Sequence, residues 1–238
     1  MAGILKAAAG RGQGSANVFD SKNVDNESKF VEEMYDKRDE NIDLRKSNAQ
    51  KFVDSFYNIA TDFYETGWGQ SFHFAPRGRS ETFRESIIRH EHYLALKLNI
   101  KPTDYVLDVG CGIGGPMRNI ATFTGAKIVG VTINQYQVNR GNELNKQEGL
   151  AKQCLLKQGD FCKLAAFADN TFDKIFAIES TCHSPNRCDV YDQVYRVLKP
   201  GGLFASYEWV LNADKFDANN KQHLQIKYEV EKGNALPD

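Results

Sequence analysis

An apolar run that leads directly into a glycine-rich turn constrains the fold of this chain more than any other feature. Tyr105–Val109 has the composition of a buried strand, and the turn Gly110-Cys-Gly-Ile-Gly-Gly115 follows it at once. Pro116 then suits the first turn of a helix. A strand, a glycine turn and a helix in this order are typical of a nucleotide-binding α/β unit, in which the ligand lies at the carboxyl ends of the strands. The string therefore predicts a ligand site around residue 110.

The chain after residue 104 alternates between strand and helix patterns. Helices are predicted around 135–148 and 189–198, and the further strands are predicted at Lys127–Thr132, Gln153–Lys157, Phe172–Glu179 and Leu203–Val210. Such alternation predicts an α/β fold, with a Rossmann-like, mostly parallel sheet and helices on both faces. Upstream, one helix is predicted to begin at a Ser47 cap and a second behind a Ser80 cap. The non-periodic aromatic segment 63–74 lies between them.

Composition excludes several classes of protein. The 30 basic and 31 acidic residues give a net charge of −1, without the basic excess that nucleic-acid binding favours. The five cysteines lack paired C-x-x-C spacing, which predicts free thiols and no metal site. No apolar run reaches the roughly 18–20 residues that span a bilayer. Residues 1–46 are predicted to be a polar tail and lead-in, and 47–238 a domain in which 47–99 form a helical cap.

The glycine spacing also fits a dinucleotide site, so the neighbouring residues have to identify the cofactor. A dinucleotide site carries an acid about 20 residues after the loop, which holds the ribose hydroxyls. The corresponding stretch, Gly130–Gln135, has no carboxylate. Asp108 instead precedes the loop, where it can accept hydrogen bonds from the amino-acid part of S-adenosylmethionine (SAM). We therefore expect SAM as the cofactor, with a dehydrogenase as a distant alternative.

The predicted cofactor-binding residues come from the ends of three successive strands. Asn134 and Gln137 offer neutral groups where a dinucleotide site has its acid. Asp160 either bonds the adenine amino group or belongs to a surface turn. The full set is Asp108, Gly110, Cys111, Gly112, Gly114, Asn134, Gln137, Asp160 and Phe161.

Four motifs resemble those of the sterol C24-methyltransferases. They are Tyr64-Glu-Thr-Gly-Trp-Gly69 with Ser71-Phe-His-Phe74, Leu107–Pro116, Ile178-Glu-Ser-Thr-Cys-His183-Ser-Pro, and Tyr207-Glu-Trp209. The resemblance covers residues 48–238 and implies a class I SAM-dependent methyltransferase. Such an enzyme adds a methyl group to the C24 double bond of a sterol side chain, in ergosterol-type sterol biosynthesis. Thr66 stands where the family usually has tyrosine. Family members also continue further, which implies a truncated domain without the last antiparallel strands.

The resemblance further implies roles for individual residues. The catalytic candidates are Glu65, His73, Glu179 and His183, and the aromatic residues that would face a sterol carbocation are Tyr64, Trp68, Phe72 and Phe74. Plain core packing is the alternative for the aromatic cluster. Peripheral attachment to the endoplasmic reticulum or to lipid droplets, and a homo-oligomer, also follow from the resemblance. Two alternatives stay open: a SAM-dependent methyltransferase of another lipid or small molecule, and a truncated SAM-binding chain without catalysis.

Overall fold

The computed structural model describes residues 21–35 and 42–237, so the start of the predicted N-terminal tail, residues 1–20, lies outside the described residues. Two compact units make up the chain. The helical unit combines Met1–Trp68 with Ala213–Asp238, and the sheet unit is Gly69–Asn212. The predicted division of the chain at residue 47 stays a prediction.

The described residues form helices and strands that alternate in the second half of the chain. In chain order they are α1 (Ser21–Glu33), α2 (Ile42–Ser47), α3 (Ala49–Gly67), α4 (Phe83–Lys97), β1 (Tyr105–Val109), α5 (Gly115–Thr124), β2 (Lys127–Thr132), α6 (Gln135–Gln147), β3 (Cys154–Gln158), β4 (Phe172–Ile178), a 3-10 turn (Thr181–His183), α7 (Arg187–Val197), β5 (Leu198–Tyr207) and α8 (Lys221–Asn234).

Hydrogen bonds to backbone carbonyls hold the helical unit together. The Tyr35 hydroxyl donates to the Leu236 carbonyl at 2.8 Å. The guanidinium of Arg45 is buried and donates to the carbonyls of Met34, at 3.1 Å, and Pro237, at 3.2 Å. A buried guanidinium needs such acceptors, because its charge is costly to remove from water. These bonds join the residues that follow α8 to the first helices of the unit.

The sheet unit has five parallel strands in the order β3-β2-β1-β4-β5. Because successive strand residues point to opposite faces, β1 contributes to two cores. Val106 packs in the same core as Met117 of α5, whereas Leu107 packs with Val194 of α7. Helices therefore cover both faces of a parallel sheet, and the predicted Rossmann-like α/β class is confirmed.

Both predicted helix starts are wrong by one or two residues. Asn48, and not Ser47, occupies the N-cap position of α3, and the Ser47 hydroxyl donates to the Leu44 carbonyl at 3.0 Å. For α4 the cap is Thr82 instead of Ser80: the Thr82 hydroxyl accepts from the Glu85 amide at 3.2 Å. The Glu85 carboxylate accepts in return from the Thr82 amide at 2.8 Å, which makes a complete capping box.

Two element boundaries also differ from the sequence pattern. Helix α3 continues to Gly67, so Tyr64 and Glu65 are helical and do not belong to an irregular segment. Strand β5 begins at Leu198, although Gly201 and Gly202 predict a turn there. Leu198 pairs with Phe172 while Leu203 pairs with Lys174, so the glycines lie in a bulge of the strand.

Two further sequence expectations concern the chain as a whole. All five cysteines are free thiols, as the spacing predicts. Among the residues that the structure describes, no helix combines the length and the apolar character needed to cross a bilayer.

Candidate active site

The glycine loop begins where β1 ends, and the neighbouring strand holds it in place. The amides of Gly110 and Cys111 both donate to the Val131 carbonyl, at 2.9 and 3.0 Å. Gly110 has a φ of +82°, and a Cβ atom there would lie 2.3 Å from the Cβ of Ser180. Only glycine fits a position that is both left-handed and this crowded. The loop therefore packs tightly against the segment that follows β4.

Replacing Gly110 by alanine is expected to destabilise the chain by about 2–5 kcal/mol, because a left-handed backbone and an overpacked contact add their penalties. Gly149→Ala is the matched control. Gly149 also has a positive φ, of +73°, but no atom lies within 4 Å of the place where its Cβ would stand. Denaturant unfolding of both variants measures the difference. Equal losses of stability would contradict the close contact between Gly110 and Ser180.

Asp108 supplies a buried carboxylate at the carboxyl end of β1. The residue is 2% exposed, and its Oδ2 has no hydrogen-bond partner among the described residues. Burial, and the charge of Glu91, raise the pKa of Asp108 well above its ordinary value. A ligand that brings an ammonium group would satisfy the orphaned oxygen and stabilise the charged carboxylate. The amino-acid part of SAM carries such a group, so the residues present fit this cofactor.

The side chains after β2 hold the start of α6. The Asn134 side chain accepts from the Gln137 amide at 2.9 Å, and the Gln137 carbonyl oxygen accepts from the Thr132 hydroxyl at 2.7 Å. Asn134 and Gln137 are both buried. These bonds fix the shape of the loop that would face the cofactor ribose, and direct contact of either side chain with the cofactor stays a prediction.

The turn after β3 contains the two remaining predicted cofactor residues. One carboxylate oxygen of Asp160 accepts from the Cys162 amide at 2.8 Å, and the other lies 3.1 Å from the Lys163 ammonium. Asp160 therefore organises its own turn. The ring of Phe161 lies 3.6 Å from the place where a Gly110 Cβ would stand. Phe161 is thus beside the glycine loop, as a cofactor contact requires.

Glu179, the first residue after β4, joins two aromatic segments. One carboxylate oxygen accepts from the Phe74 amide at 2.9 Å, and the other accepts from the Trp209 indole at 2.8 Å. Burial raises the pKa of Glu179, although these two bonds and the charge of His73 act in the opposite direction. The backbone of Glu179 has a φ of +49°. Such a conformation is uncommon for a residue with a Cβ, and residues of this kind cluster at functional sites.

A cavity of about 590 Å³ opens beside this carboxylate. Its wall includes Phe74, His90, Glu179, Tyr207 and Trp209. The rings of Phe74 and Trp209 meet edge to face, with 5.7 Å between their centroids. The cavity therefore combines aromatic rings with a half-buried carboxylate.

Phe72 connects this wall to the glycine loop. Its ring lies 3.5 Å from the place where a Gly112 Cβ would stand, whereas Phe74, two residues later, lines the cavity. Ser180 packs on Gly110, and the residue before it, Glu179, lines the cavity as well. The glycine loop and the aromatic cavity are thus adjacent.

A buried carboxylate that the sequence did not single out holds the segment before Phe74. The Glu91 side chain on α4 is completely buried. One of its oxygens accepts from the Ser71 hydroxyl at 2.7 Å and lies 3.0 Å from Nε2 of His73. Its other oxygen accepts from the Asn119 amide at 2.6 Å. Glu91 therefore ties Ser71 and His73 to α5, the helix that follows the glycine loop.

The same carboxylate favours the protonated form of His73. Burial opposes protonation of the ring, but the hydrogen bond and charge of Glu91 outweigh it, and the pKa of His73 is raised. Nδ1 of His73 lies 2.9 Å from the Phe74 carbonyl. A sequence signal for Glu91 did exist: it lies between Ile87 and Leu94 on the apolar stripe of its helix, where a charged residue needs a partner.

Glu208 is a second carboxylate that the sequence did not predict as a site residue. One of its oxygens accepts from the amides of Ser180, at 3.1 Å, and Thr181, at 2.6 Å. It therefore anchors the start of the 3-10 turn. The predicted catalytic residue His183 ends this turn and is 9% exposed.

The remaining predicted residues belong to the helical unit. Tyr64 and Glu65 lie in the last turn of α3, and Trp68 caps that helix by donating its amide to the Tyr64 carbonyl at 2.8 Å. Their predicted roles at the site stay predictions. Within the sheet unit, the structure brings together Asp108, the loop glycines, Phe72, Phe74 and Glu179.

Known proteins match this chain at the level of both domain and sequence. Residues 107–206 match the family described as a methyltransferase domain. Cycloartenol-C-24-methyltransferase 1 of Oryza sativa subsp. japonica is 53% identical over 196 residues, which cover 82% of this chain and 56% of the relative. Sterol 24-C-methyltransferase of Kluyveromyces lactis is 45% identical over 226 residues, covering 94% of this chain and 60% of the relative. The chain thus spans less than two thirds of the length of these curated relatives.

Solved structures share the fold. A putative sarcosine dimethylglycine methyltransferase from Galdieria sulphuraria is 28% identical, with a TM-score of 0.64 over 75% of this chain and 68% of that one. Geranyl diphosphate C-methyltransferase from Streptomyces coelicolor A3(2) is 19% identical, with a TM-score of 0.65 over 77% of this chain and 72% of that one, and it supports the fold alone. The chain is therefore a homologue of the sterol 24-C-methyltransferases and has the class I SAM-dependent methyltransferase fold.

Proposed function

We propose that this chain carries the catalytic machinery of a sterol 24-C-methyltransferase, which transfers a methyl group from SAM to the C24 double bond of a sterol side chain. The observation that carries the proposal is the aromatic cavity, which Glu179 assembles from Phe74 and Trp209 directly beside the glycine loop. The names of the curated relatives agree with this acceptor.

The methyltransferase domain and the orphaned Asp108 oxygen support SAM as the cofactor. When bound, SAM supplies a methyl group attached to a positively charged sulfur, which is attacked by electron-rich carbon. Asp108 would accept from the ammonium group of the cofactor, and Gly110 and Gly112 would let the backbone approach it. Phe161 and Asp160 would contact the adenine, with Asn134 and Gln137 shaping the ribose side.

An alkene acceptor needs no base before methyl transfer, because its π electrons are the nucleophile. The protein has to align the alkene and stabilise the carbocation that results. Phe72, Phe74 and Trp209 would present π faces to that cation, and each such contact contributes about 0.5–2 kcal/mol when desolvated. The half-buried Glu179 carboxylate adds a negative charge on the same wall, where electrostatic stabilisation is strong. The family resemblance also implies that Tyr64 and Trp68 are among the aromatic residues that face the cation.

Ligand-induced stabilisation separates this function from its alternatives. We expect S-adenosylhomocysteine (SAH) and a sterol with an unsaturated side chain each to raise the Tm, because both bind the folded state. Stabilisation by SAH alone would favour another acceptor or a non-catalytic SAM-binding chain. Stabilisation by NAD and not by SAH would contradict the cofactor assignment.

The proposal extends to the cellular setting of the reaction. From the family resemblance we expect peripheral attachment at the surface of the endoplasmic reticulum or of lipid droplets, and a homo-oligomer. Flotation with sterol-containing vesicles and the mass in solution test these two parts. Recovery of all protein in the vesicle-free fraction would contradict surface attachment.

A further inference from the structure

Methylation of a sterol side chain ends with the loss of a proton, and two of the predicted bases already hold other partners. Both ring nitrogens of His73 are engaged, one with Glu91 and one with the Phe74 carbonyl. Its raised pKa also favours the protonated ring, which cannot accept a proton. Each oxygen of Glu179 accepts a hydrogen bond, from Phe74 and from Trp209. These bonds make the Glu179 carboxylate less basic, so a group in the same cavity that accepts no hydrogen bond is the better candidate for the base.

His90 provides such a group. It lies on α4, is half-buried and forms part of the cavity wall together with Glu179. Its ring stacks on Tyr207, with 3.7 Å between centroids and 14° between planes, which fixes its orientation. Within residues 21–35 and 42–237, no hydrogen bond to either of its ring nitrogens is formed. Stacking thus holds the imidazole in one orientation, and its ring nitrogens have no hydrogen-bond partner among the described residues.

Burial and the neighbouring charges favour the neutral form of this imidazole. Burial lowers the pKa of His90, and the positive charges of His73 and Arg89 lower it further, whereas Glu91 acts in the opposite direction. The His73 ring is close, with 5.9 Å between the two centroids. The other titratable groups of the cavity wall are Tyr207, Glu179 and Glu208. Oε2 of Glu208 also has no hydrogen-bond partner among the described residues, but that atom is buried, whereas the His90 side chain is only half-buried. The lowered pKa favours the neutral His90 ring, which can accept a proton.

We propose that His90 is a catalytic residue that accepts the proton lost from the methylated sterol cation. The proposal rests on the proposed function, since it concerns the last step of that reaction. In this step a C–H bond next to the cationic carbon breaks, and its electron pair becomes the new C=C bond. The proton moves to a ring nitrogen of His90, which becomes an imidazolium and later releases the proton to water. Atoms and charge balance without another reactant.

The test compares His90→Gln with His92→Gln in the full chain. His92 is on the same helix and stacks on Phe123, with 4.1 Å between centroids, so it is matched in burial and ring contact. Both variants receive methyl-labelled SAM and a sterol with an unsaturated side chain. We expect His90→Gln to form about 100-fold less labelled alkene, which is the usual contribution of a general base, while its Tm shift with SAH stays that of the parent chain. Of the labelled sterol that still forms, a larger share is expected to be a sterol alcohol, because water captures the cation when no base removes its proton.

The pH profile gives a readout that a structural role would not change. A base must be unprotonated, so alkene formation by the parent chain should fall on the acid side, below the ordinary histidine pKa of about 6.5. This acid limb should disappear in His90→Gln and persist in His92→Gln. If His90→Gln keeps both the alkene yield and the acid limb of the parent chain, the role of His90 is overturned and the proposed function is not. A parent chain that makes no labelled sterol would overturn the proposed function together with this role.

Discussion

Asp108→Asn is expected to weaken SAH binding at least about ten-fold and, at the same time, to raise the stability of the ligand-free chain. The Asp108 carboxylate is buried with one unpartnered oxygen among the described residues, and its pKa is raised by burial. A buried polar group without a partner costs about 1–3 kcal/mol. The neutral amide removes the buried charge, but it also removes the acceptor for the ammonium group of the cofactor.

The sign of the pH dependence follows from the raised pKa. The folded chain holds the Asp108 proton more tightly than the unfolded chain does, so the stability from this group is complete below the unfolded pKa of about 3.9. It is lost as the pH rises through the higher folded pKa. Asp108→Asn should therefore gain stability over the parent chain at neutral pH, with a Tm increase of about 2–4 °C for each kcal/mol.

Calorimetric titration with SAH and thermal unfolding check the two parts of this prediction. Asp169→Asn is the control, because Asp169 is an exposed carboxylate that pairs with Arg196 on the surface. That variant should change neither quantity appreciably. SAH affinity of Asp108→Asn equal to that of the parent chain would show that the orphaned oxygen does not face the cofactor.

Replacing Glu91 by alanine should have the largest effect on folding, a loss of about 3–5 kcal/mol. The change leaves the buried His73 ring without its counter-charge, and it removes the acceptor of Ser71 and of Asn119. The total stability of a domain is about 5–15 kcal/mol, so this loss is a large part of it. Denaturant unfolding of the parent chain and the variant gives the difference directly.

Glu91→Gln tests the electrostatic part separately. The amide keeps the shape of the side chain but not its charge, so the pKa of His73 should fall. A raised histidine pKa stabilises the folded chain fully below the unfolded value of about 6.5, and this stability is lost as the pH rises through the folded pKa. The stability difference between parent and variant should therefore be larger at pH 5.5 than at pH 8.5.

Glu143→Gln is the matched control for this pH dependence. Glu143 is an exposed helical residue that pairs with Arg140, and its change should produce a small effect at either pH. Nuclear magnetic resonance titration of the His73 ring gives the pKa itself. An unchanged His73 pKa in Glu91→Gln would contradict the ion pair.

The parts of the fold that depend on local patterns could be predicted from the sequence. The apolar run Tyr105–Val109 and the glycine turn after it form a strand and a left-handed loop, because a buried parallel strand and a left-handed turn each demand particular residues. The exact helix caps were missed by one or two residues. Asn48 and Thr82 are caps as good as the neighbouring serines, so side-chain type alone does not choose among them.

The contacts that organise the site could not be predicted, because they join residues that are distant in the chain. The sequence drew attention to Glu179, yet its bonds to Phe74 and Trp209 depend on the final packing of three segments. Glu91 lies 20 residues after Ser71 and 28 before Asn119, and no local pattern links them. His90 has no marker at all in the sequence, since its significance comes from its place on the cavity wall and its stacking on Tyr207.

Transfer of labelled methyl from SAM to a sterol with an unsaturated side chain is the most direct test of the proposed function. The product is collected in the organic extract and compared with that of the same sterol whose side chain is saturated. We expect label in a C24-methylated product from the unsaturated sterol only, because the π bond is the nucleophile. Label in neither extract, from a chain that SAH stabilises, would contradict sterol methylation by this chain.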